Sequence, residues 1–284
     1  MNGFAKQKTI AKGAVFSGKA LQTGRAVEVV CEPAPPDSGI IFVRADLRKP
    51  AEIKLGKADL DGSYKRRSTI GRGKKGIQTV EHFLAALWAL GITNIRVSVK
   101  GAELPAMDGS SAPFLAILKN AGIAEQKVPA GVIDIAEPIV LRDGEKSLSA
   151  YPFNGFGVSY HIDYGIASIK EEEYYIALDG ASFEKEIAPA RTFCLKKEAL
   201  ILRLLGVGRG ATCENTLIMA KTGPVGTTLR FPNEPVRHKI LDLVGDLYLL
   251  GCRVRGRFVA EKSGHALNRQ MVKAIYDRYL TDKK

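Results

Sequence analysis

The sequence predicts an α+β protein made of two similar domains, each with helices packed on a β-sheet, and three observations carry that expectation. Short apolar runs broken by glycine and proline, the pattern of strands, fill both the first fifth of the chain and the stretch after residue 131. In each half the strands come before most of the helices, rather than alternating with them one by one. Between the halves lies "EQKVPAG", a polar segment with proline and glycine, which we read as a boundary separating 1–126 from 127–284. One plan used twice suggests a pseudo-duplicated architecture, whose active site belongs in the cleft between the two units.

The elements follow in order. "TIAKGAVFSGKAL", "AVEVVCEP" and "GIIFVRA" between residues 8 and 55 read as a meander of strands. A basic run, "YKRRSTIGRGKKG", carries Lys65, Arg66, Arg67, Arg72, Lys74 and Lys75 with no acid and reads as a solvated, glycine-loosened loop. A helix begins near Thr79 in "TVEHFLAALWAL" and stops at Gly91; "NIRVSV" is a strand and "APFLAILKNAG" a second helix. In the second half "GVIDIAEPIVL", "KSLSAYPF", "FGVSYHIDY" and "EEYYIAL" read as strands. They are followed by a helix around 236–250, a strand "RGRFVAEK" and a closing helix "ALNRQMVKAIYDRYL". The segment "KKEALILRLLGVGRG" is apolar all round, so it is either wholly buried, the reading its composition favours, or the lining of an apolar channel.

Composition removes several classes of function. No apolar run reaches the roughly 18 to 20 residues needed to span a bilayer, and the N-terminal residues lack a signal peptide's apolar region, so any membrane association is expected to be peripheral. Cys31, Cys194, Cys213 and Cys252 stand far apart without C-x-x-C spacing, which disfavours a disulfide framework or thiolate zinc finger and fits reduced thiols in a cytoplasm. The net charge of +12 implies attraction to polyanions such as phosphorylated substrates. Aromatic residues are only 7% and do not interleave with the basic run, so the stacking platform of a nucleic-acid binder is not visible. The chain is read as a monomer.

The chemistry concentrates in "FPNEPVRHKILDLVGDLYLL", where His238, Asp242 and Asp246 recur every fourth residue on an otherwise apolar helix. Four residues overshoot one turn by roughly 40°, so the three side chains form a slanted column on one face. Taken alone, that spacing fits a polar seam as well as a metal site. The other histidines sharpen the choice. His82 follows Glu81 in the first turn of an apolar helix, His265 follows a glycine near Lys262 at a strand-to-helix junction, and His161 reads as an ordinary strand residue. Catalytic zinc takes three protein ligands from His and Asp or Glu, which His82, His238 and Asp242 would supply. Glu81 would then stand close enough to accept a proton from water. His265 would be a second acid/base group, oriented by Asp246. These are the parts of metal-assisted amide or ester hydrolysis.

"TVEHFLAAL", "AELPAMDGSSAPF", "ARTFC", "RFPNEPVRHKILDLVGDL" and "SGHALN", in this order and across nearly the whole chain, resemble the UDP-3-O-acyl-N-acetylglucosamine deacetylase family, the zinc hydrolases of lipid A synthesis in Gram-negative bacteria. The resemblance implies two α+β domains, each with an insert beside the active site, and a UDP-linked acylated amino sugar as substrate. It implies a metal, Zn2+ or Fe2+, on His82, His238 and Asp242. It implies Glu81 as general base, His265 with Asp246 as general acid, and Thr192 as oxyanion partner. Lys239, Lys262 and Phe193 fall at substrate-binding positions. The segment around 196–216 becomes the second insert, the passage for the acyl chain. One departure stands out: where the family has histidine near the N-terminus, "GKALQTG" has Gln22, which can hydrogen-bond but cannot carry charge. Two other readings remain at this point, a hydrolase of a different acetylated amino sugar and a basic RNA-binding module.

Overall fold

The computed structural model describes residues 6–56 and 67–281. Lys65 and Arg66 of the basic run lie outside the described residues.

In the first half the chain forms β1 (Lys6–Ile10), β2 (Ala14–Lys19), β3 (Ala26–Pro33), β4 (Ile40–Arg44), β5 (Ala51–Lys54), the two-residue strands β6 (Thr69–Ile70) and β7 (Ile77–Gln78), α1 (Glu81–Leu90), β8 (Ile95–Lys100), α2 (Ala112–Asn120) and β9 (Ile123–Pro129). The second half adds β10 (Val132–Asp134), β11 (Ile139–Asp143), β12 (Lys146–Tyr151), β13 (Phe156–Ile162), β14 (Glu172–Ala177), α3 (Gly180–Glu186), β15 (Phe193–Leu195), α4 (Lys196–Leu204), β16 (Leu217–Ala220), β17 (Gly223–Pro224), α5 (Glu234–Leu247), β18 (Arg253–Glu261) and α6 (His265–Tyr279).

The duplication is visible in strand order. The first large sheet runs β2-β3-β8-β4-β5 and the second runs β11-β12-β18-β13-β14, the same path in each, with the last of the five strands in chain order inserted between the second and third. In both, only the pairing of the last strand with the third is parallel, β8 with β4 and β18 with β13, along these paths. In both sheets a central helix enters just before the last strand, α1 in one half and α5 in the other, and a closing helix follows it. A parallel pair needs such a crossover, because a tight turn reverses direction.

The two central helices pack against each other between the sheets. Helix α1 is buried at every position except Leu90, because both sheets lie on it. Phe83 meets Phe16 of β2 and Phe42 of β4, while Trp88 meets Phe156 of β13. Gly91 ends α1 at φ 68°, a conformation that costs a residue with a Cβ. Gly245 sets the approach of α5: a methyl there would stand 2.0 Å from the Glu81 carbonyl oxygen. Only hydrogen allows α5 that close to the start of α1.

The structure differs from the sequence reading at several places. Much of "EQKVPAG" is not a linker but the end of β9, which pairs antiparallel with β1 through Lys6 and Pro129, so 126/127 falls inside a strand. Its polar residues alternate outward from an edge pair, which imitates a loop in composition. "GVIDIAEPIVL" divides into β10 and β11. Helix α3 had no long periodic signal, being seven residues long and held by a capping box of Asp179 and Ser182. Burial of "KKEALILRLLGVGRG" is contradicted, since Ile201, Leu204 and Leu205 of α4 and its exit are 56%, 82% and 71% exposed. In the basic run Arg72, Lys74 and Lys75 are exposed as read, but Ser68, Thr69 and Ile70 are buried. No described helix is long and apolar enough to cross a membrane.

Candidate active site

The contact of α1 with α5 brings the four-residue column of α5 to the first turn of α1. His82, His238 and Asp242 are all buried, and each offers one ligand atom within 4.8 Å of the others. Asp242 Oδ1 is 3.3 Å from His238 Nε2 and 3.8 Å from His82 Nε2, and the two imidazoles stand edge to face at 5.0 Å. Donor atoms around a tetrahedral zinc at about 2.0 to 2.1 Å are roughly 3.3 Å apart, so this donor set fits a metal of that size. The other nitrogen of His238, Nδ1, meets the Ala190 carbonyl at 3.0 Å, which fixes a proton on Nδ1 and frees Nε2 as a ligand atom.

Electrostatics agree with a ligand role. Burial, helped by His238, drives the His82 pKa down to about 3, so it is neutral near pH 7. Burial likewise lowers the His238 pKa. Asp242 is buried too, yet His238, Lys239, His265 and His82 outweigh that burial and hold its carboxyl below the usual range. Two neutral imidazoles and one carboxylate are the protonation state a divalent metal requires.

Beside this cluster stand a carboxyl and an imidazole that both hold their protons more tightly than usual. Burial, reinforced by Asp246 and Asp242, raises the Glu81 pKa to about 7. Burial would depress His265, but Asp246, Asp242 and Glu81 overcome it and raise its pKa to about 9. His265 Nδ1 lies 2.7 Å from Asp246 Oδ2, while its Nε2 faces Glu81 Oε1 at 3.9 Å and Asp242 Oδ2 at 3.7 Å. Asp246 is itself fully buried and accepts bonds from Ser68 Oγ and Asn268 Nδ2. Neither partner stood out in the sequence, although Asn268 closes "GHALN", three residues after His265 and therefore on the same face of α6.

A cavity of about 500 Å³ opens over these groups and is also lined by Thr192, Phe193, Lys239, Lys262 and Gln22. The residues expected from the sequence to bind metal, bind substrate or act as acid and base thus lie at one place; Asp246 stands behind His265. Thr192 is anchored by its N–H on Gly109 O at 2.8 Å and by its carbonyl, which accepts from Leu217 N. Its neighbour Arg191 binds Glu234, the first residue of α5, through the backbone N–H at 3.0 Å and Nε at 2.9 Å. That buried pair, which sequence reasoning missed, ties the Thr192 turn to the helix carrying His238. Phe193 faces His238 with ring centroids 6.3 Å apart. Lys239 Nζ reaches Asp242 Oδ2, and Lys262 Nζ reaches Asp163 Oδ2, both at 3.0 Å. From the exposed helix α4 and the loop after it, Leu202, Val207 and Ala211 turn toward the same cavity.

A buried two-histidine, one-carboxylate cluster flanked by a basic carboxylate and a carboxylate-held imidazolium, at the junction of two duplicated α+β halves, defines a class: hydrolases with a metal-ligand centre. Residues 7–277 match the sequence model of the family described as "LpxC: UDP-3-O-acyl N-acetylglycosamine deacetylase", and the chain belongs to that family. Relatives named UDP-3-O-acyl-N-acetylglucosamine deacetylase include one from Anaeromyxobacter dehalogenans, 39% identical over 95% of this chain and 87% of its own. One from Myxococcus xanthus is 39% identical over 95% of this chain and 86% of its own. One from Teredinibacter turnerae is 39% identical over 96% of this chain and 91% of its own.

Proposed function

We propose that this chain hydrolyses the N-acetyl group of UDP-3-O-acyl-N-acetylglucosamine, releasing acetate, as a step of lipid A biosynthesis. Family membership along nearly the whole chain supports the reaction. The observation that carries its chemistry is the convergence of His82 and His238 Nε2 on one oxygen of Asp242, with Glu81 and His265 alongside. Those three donors would hold Zn2+, which supplies Lewis acidity and lowers the pKa of a water to about 7.

The remaining work falls to side chains. Glu81 Oε accepts a proton from the attacking water as its oxygen bonds to the acetamide carbon. Thr192 Oγ1 donates to the carbonyl oxygen while negative charge builds there. The amine leaves poorly as an anion, so His265 Nε2 gives its proton to nitrogen as the C–N bond breaks, producing acetate and the free amine. Asp246 keeps that imidazole charged and oriented through Nδ1. Lys239 and Lys262 present cations to the UDP diphosphate. Phe193 packs against the substrate, and Leu202, Val207 and Ala211 line the way taken by its acyl chain. Four cysteines spread along the chain without C-x-x-C spacing fit a reducing compartment, which supports action in the cytoplasm.

Acetate release from the acylated UDP-sugar tests the reading, measured with chelator and with stoichiometric Zn2+ or Fe2+ restored. Chelator-sensitive release, recovered with metal, is expected. Absence of release from folded, metal-loaded protein overturns it. Equal rates with and without the acyl chain would instead favour another acetylated amino sugar.

A further inference from the structure

Gln22 sits in a loop that has no side-chain role in the reaction above, yet the loop is tethered by a buried carboxylate. The tether is Glu103, only 1% exposed and outside the cluster of ionisable groups at the metal-ligand centre. Its Oε1 accepts from Gln22 N at 2.9 Å and from Thr79 Oγ1 at 3.0 Å, and its Oε2 accepts from Thr23 N at 3.2 Å. Thr79 is two residues before Glu81 and adopts φ 57°, a costly conformation for a β-branched residue. Its N–H donates to the carbonyl oxygen of Ser68 at 2.8 Å, the same serine whose Oγ donates to Asp246. One buried carboxylate therefore joins the 20–25 loop to the turn that launches α1.

The other side of the loop meets the second insert. Arg209 N donates to Gln22 O at 3.1 Å and Gly210 N to Leu21 O at 2.9 Å. A methyl on Gly210 would stand 2.1 Å from Ala20 O, so the two loops touch backbone to backbone. Leu21 and Gln22 on one loop, and Val207, Gly208 and Ala211 on the other, line the same cavity. Helix α4 leaves Ile201 and Leu204, and its exit Leu205, exposed; beyond its packing on β15 and β16 the insert is held by Asn215, which packs closely on Gly109 and binds the Gly210 carbonyl, and by the 20–25 loop.

We propose that Glu103 is a positioning residue for substrate selection: through the 20–25 loop it holds the loop after α4 in register with the first turn of α1, fixing the wall against which the acyl chain lies. It touches neither the metal ligands nor the reacting atoms. A glutamine at this position turns an amide donor toward backbone N–H groups, frees the 20–25 loop and leaves the α1–α5 contact in place. The proposal rests on the deacetylase reading for its kinetic arm only.

The test compares wild type with E103Q by amide hydrogen exchange and by kinetics on the acylated UDP-sugar and on UDP-N-acetylglucosamine. Exchange in E103Q should rise at residues 20–25 and 207–211 and stay unchanged along α1 and α5. KM for the acylated substrate should rise roughly 10- to 100-fold, the scale of losing hydrogen bonds to a charged group, with kcat little changed and metal content intact. KM for the sugar without the acyl chain should stay near wild type. If E103Q does not fold, T79A cuts the same link from its other end without burying a new donor and should give the same split at smaller size. Unchanged exchange at 207–211, or equal loss on both substrates through kcat, overturns the proposal. Should wild type fail to release acetate, the deacetylase reading falls while the exchange arm still decides the coupling of the two loops.

Discussion

Substituting Gly245 by alanine puts the architecture of the site to its sharpest test. The added methyl would lie 2.0 Å from the Glu81 carbonyl oxygen and 2.7 Å from its carbon, whereas real contacts of this kind are not shorter than 3.0 Å. Helices α5 and α1 must therefore separate by about 1 Å at this point, since both contacting atoms are backbone and neither has a rotamer to yield. His238, Asp242 and Asp246 move with α5, while Glu81 and His82 stay with α1. The His82 to Asp242 distance, 3.8 Å already, lengthens beyond what one metal ion spans, whereas the 3.3 Å His238 to Asp242 pair, lying on one helix, survives. Overpacking of this kind costs about 1 to 3 kcal/mol, and a 1 Å misplacement of reacting groups costs about 10²-fold in rate. The assays are thermal unfolding of the metal-free and metal-loaded forms, metal affinity by competition with a chelator, and acetate release. We expect weaker metal binding, a smaller stabilisation by metal and turnover reduced by about two orders of magnitude. A folded Gly245→Ala variant with wild-type metal affinity and turnover would refute the argument that this contact sets the site.

Other expectations follow from the same geometry. Glu81→Gln and His265→Gln should each lower kcat by roughly 10²- to 10⁴-fold while retaining metal, read by metal analysis beside acetate release. His238→Ala should lose the metal itself. The pH profile of kcat/KM should be bell-shaped: activity rises as Glu81 gives up its proton near 7 and falls as His265 loses its own near 9. A bound dication moves both limbs to lower pH, and the two apparent values belong to the coupled pair. For stability of the metal-free chain, His265 has a folded pKa above its unfolded one, so its contribution is complete below about 6.5 and is lost as pH rises through about 9. Melting temperatures between pH 7 and 9 should accordingly fall, and Asp246→Asn should flatten that decline. Glu234→Gln breaks the fully buried partner of Arg191 and should cost about 3 to 5 kcal/mol, seen in denaturant unfolding.

The chain by itself determined the chemistry and the class of fold. His238, Asp242 and Asp246 were legible as one column because helical periodicity converts a spacing of four into a shared face, and that holds before any tertiary contact forms. Helix α1 and its stop at Gly91 were legible for the same local reason. That His82 and Glu81 share a site with that column was read from the ligand set catalytic zinc takes and strengthened by the resemblance, since no local rule joins residues more than 150 positions apart. What joins them is one glycine, Gly245, and two sheets that bury α1 on nearly every side.

Tertiary structure alone decided three further things. It turned the composition of "KKEALILRLLGVGRG" from a buried helix into an exposed one with its cavity-facing side chains on a single edge, because what covers an apolar segment is set by neighbours distant in sequence. It made "EQKVP", the first five residues of "EQKVPAG", a strand by pairing β9 with β1 from the opposite end of this region. And it assigned Glu103, Arg191, Ser68 and Asn268 their partners, since a buried polar side chain is defined by the donors and acceptors that surround it after folding, and nothing in its own neighbourhood along the chain specifies them.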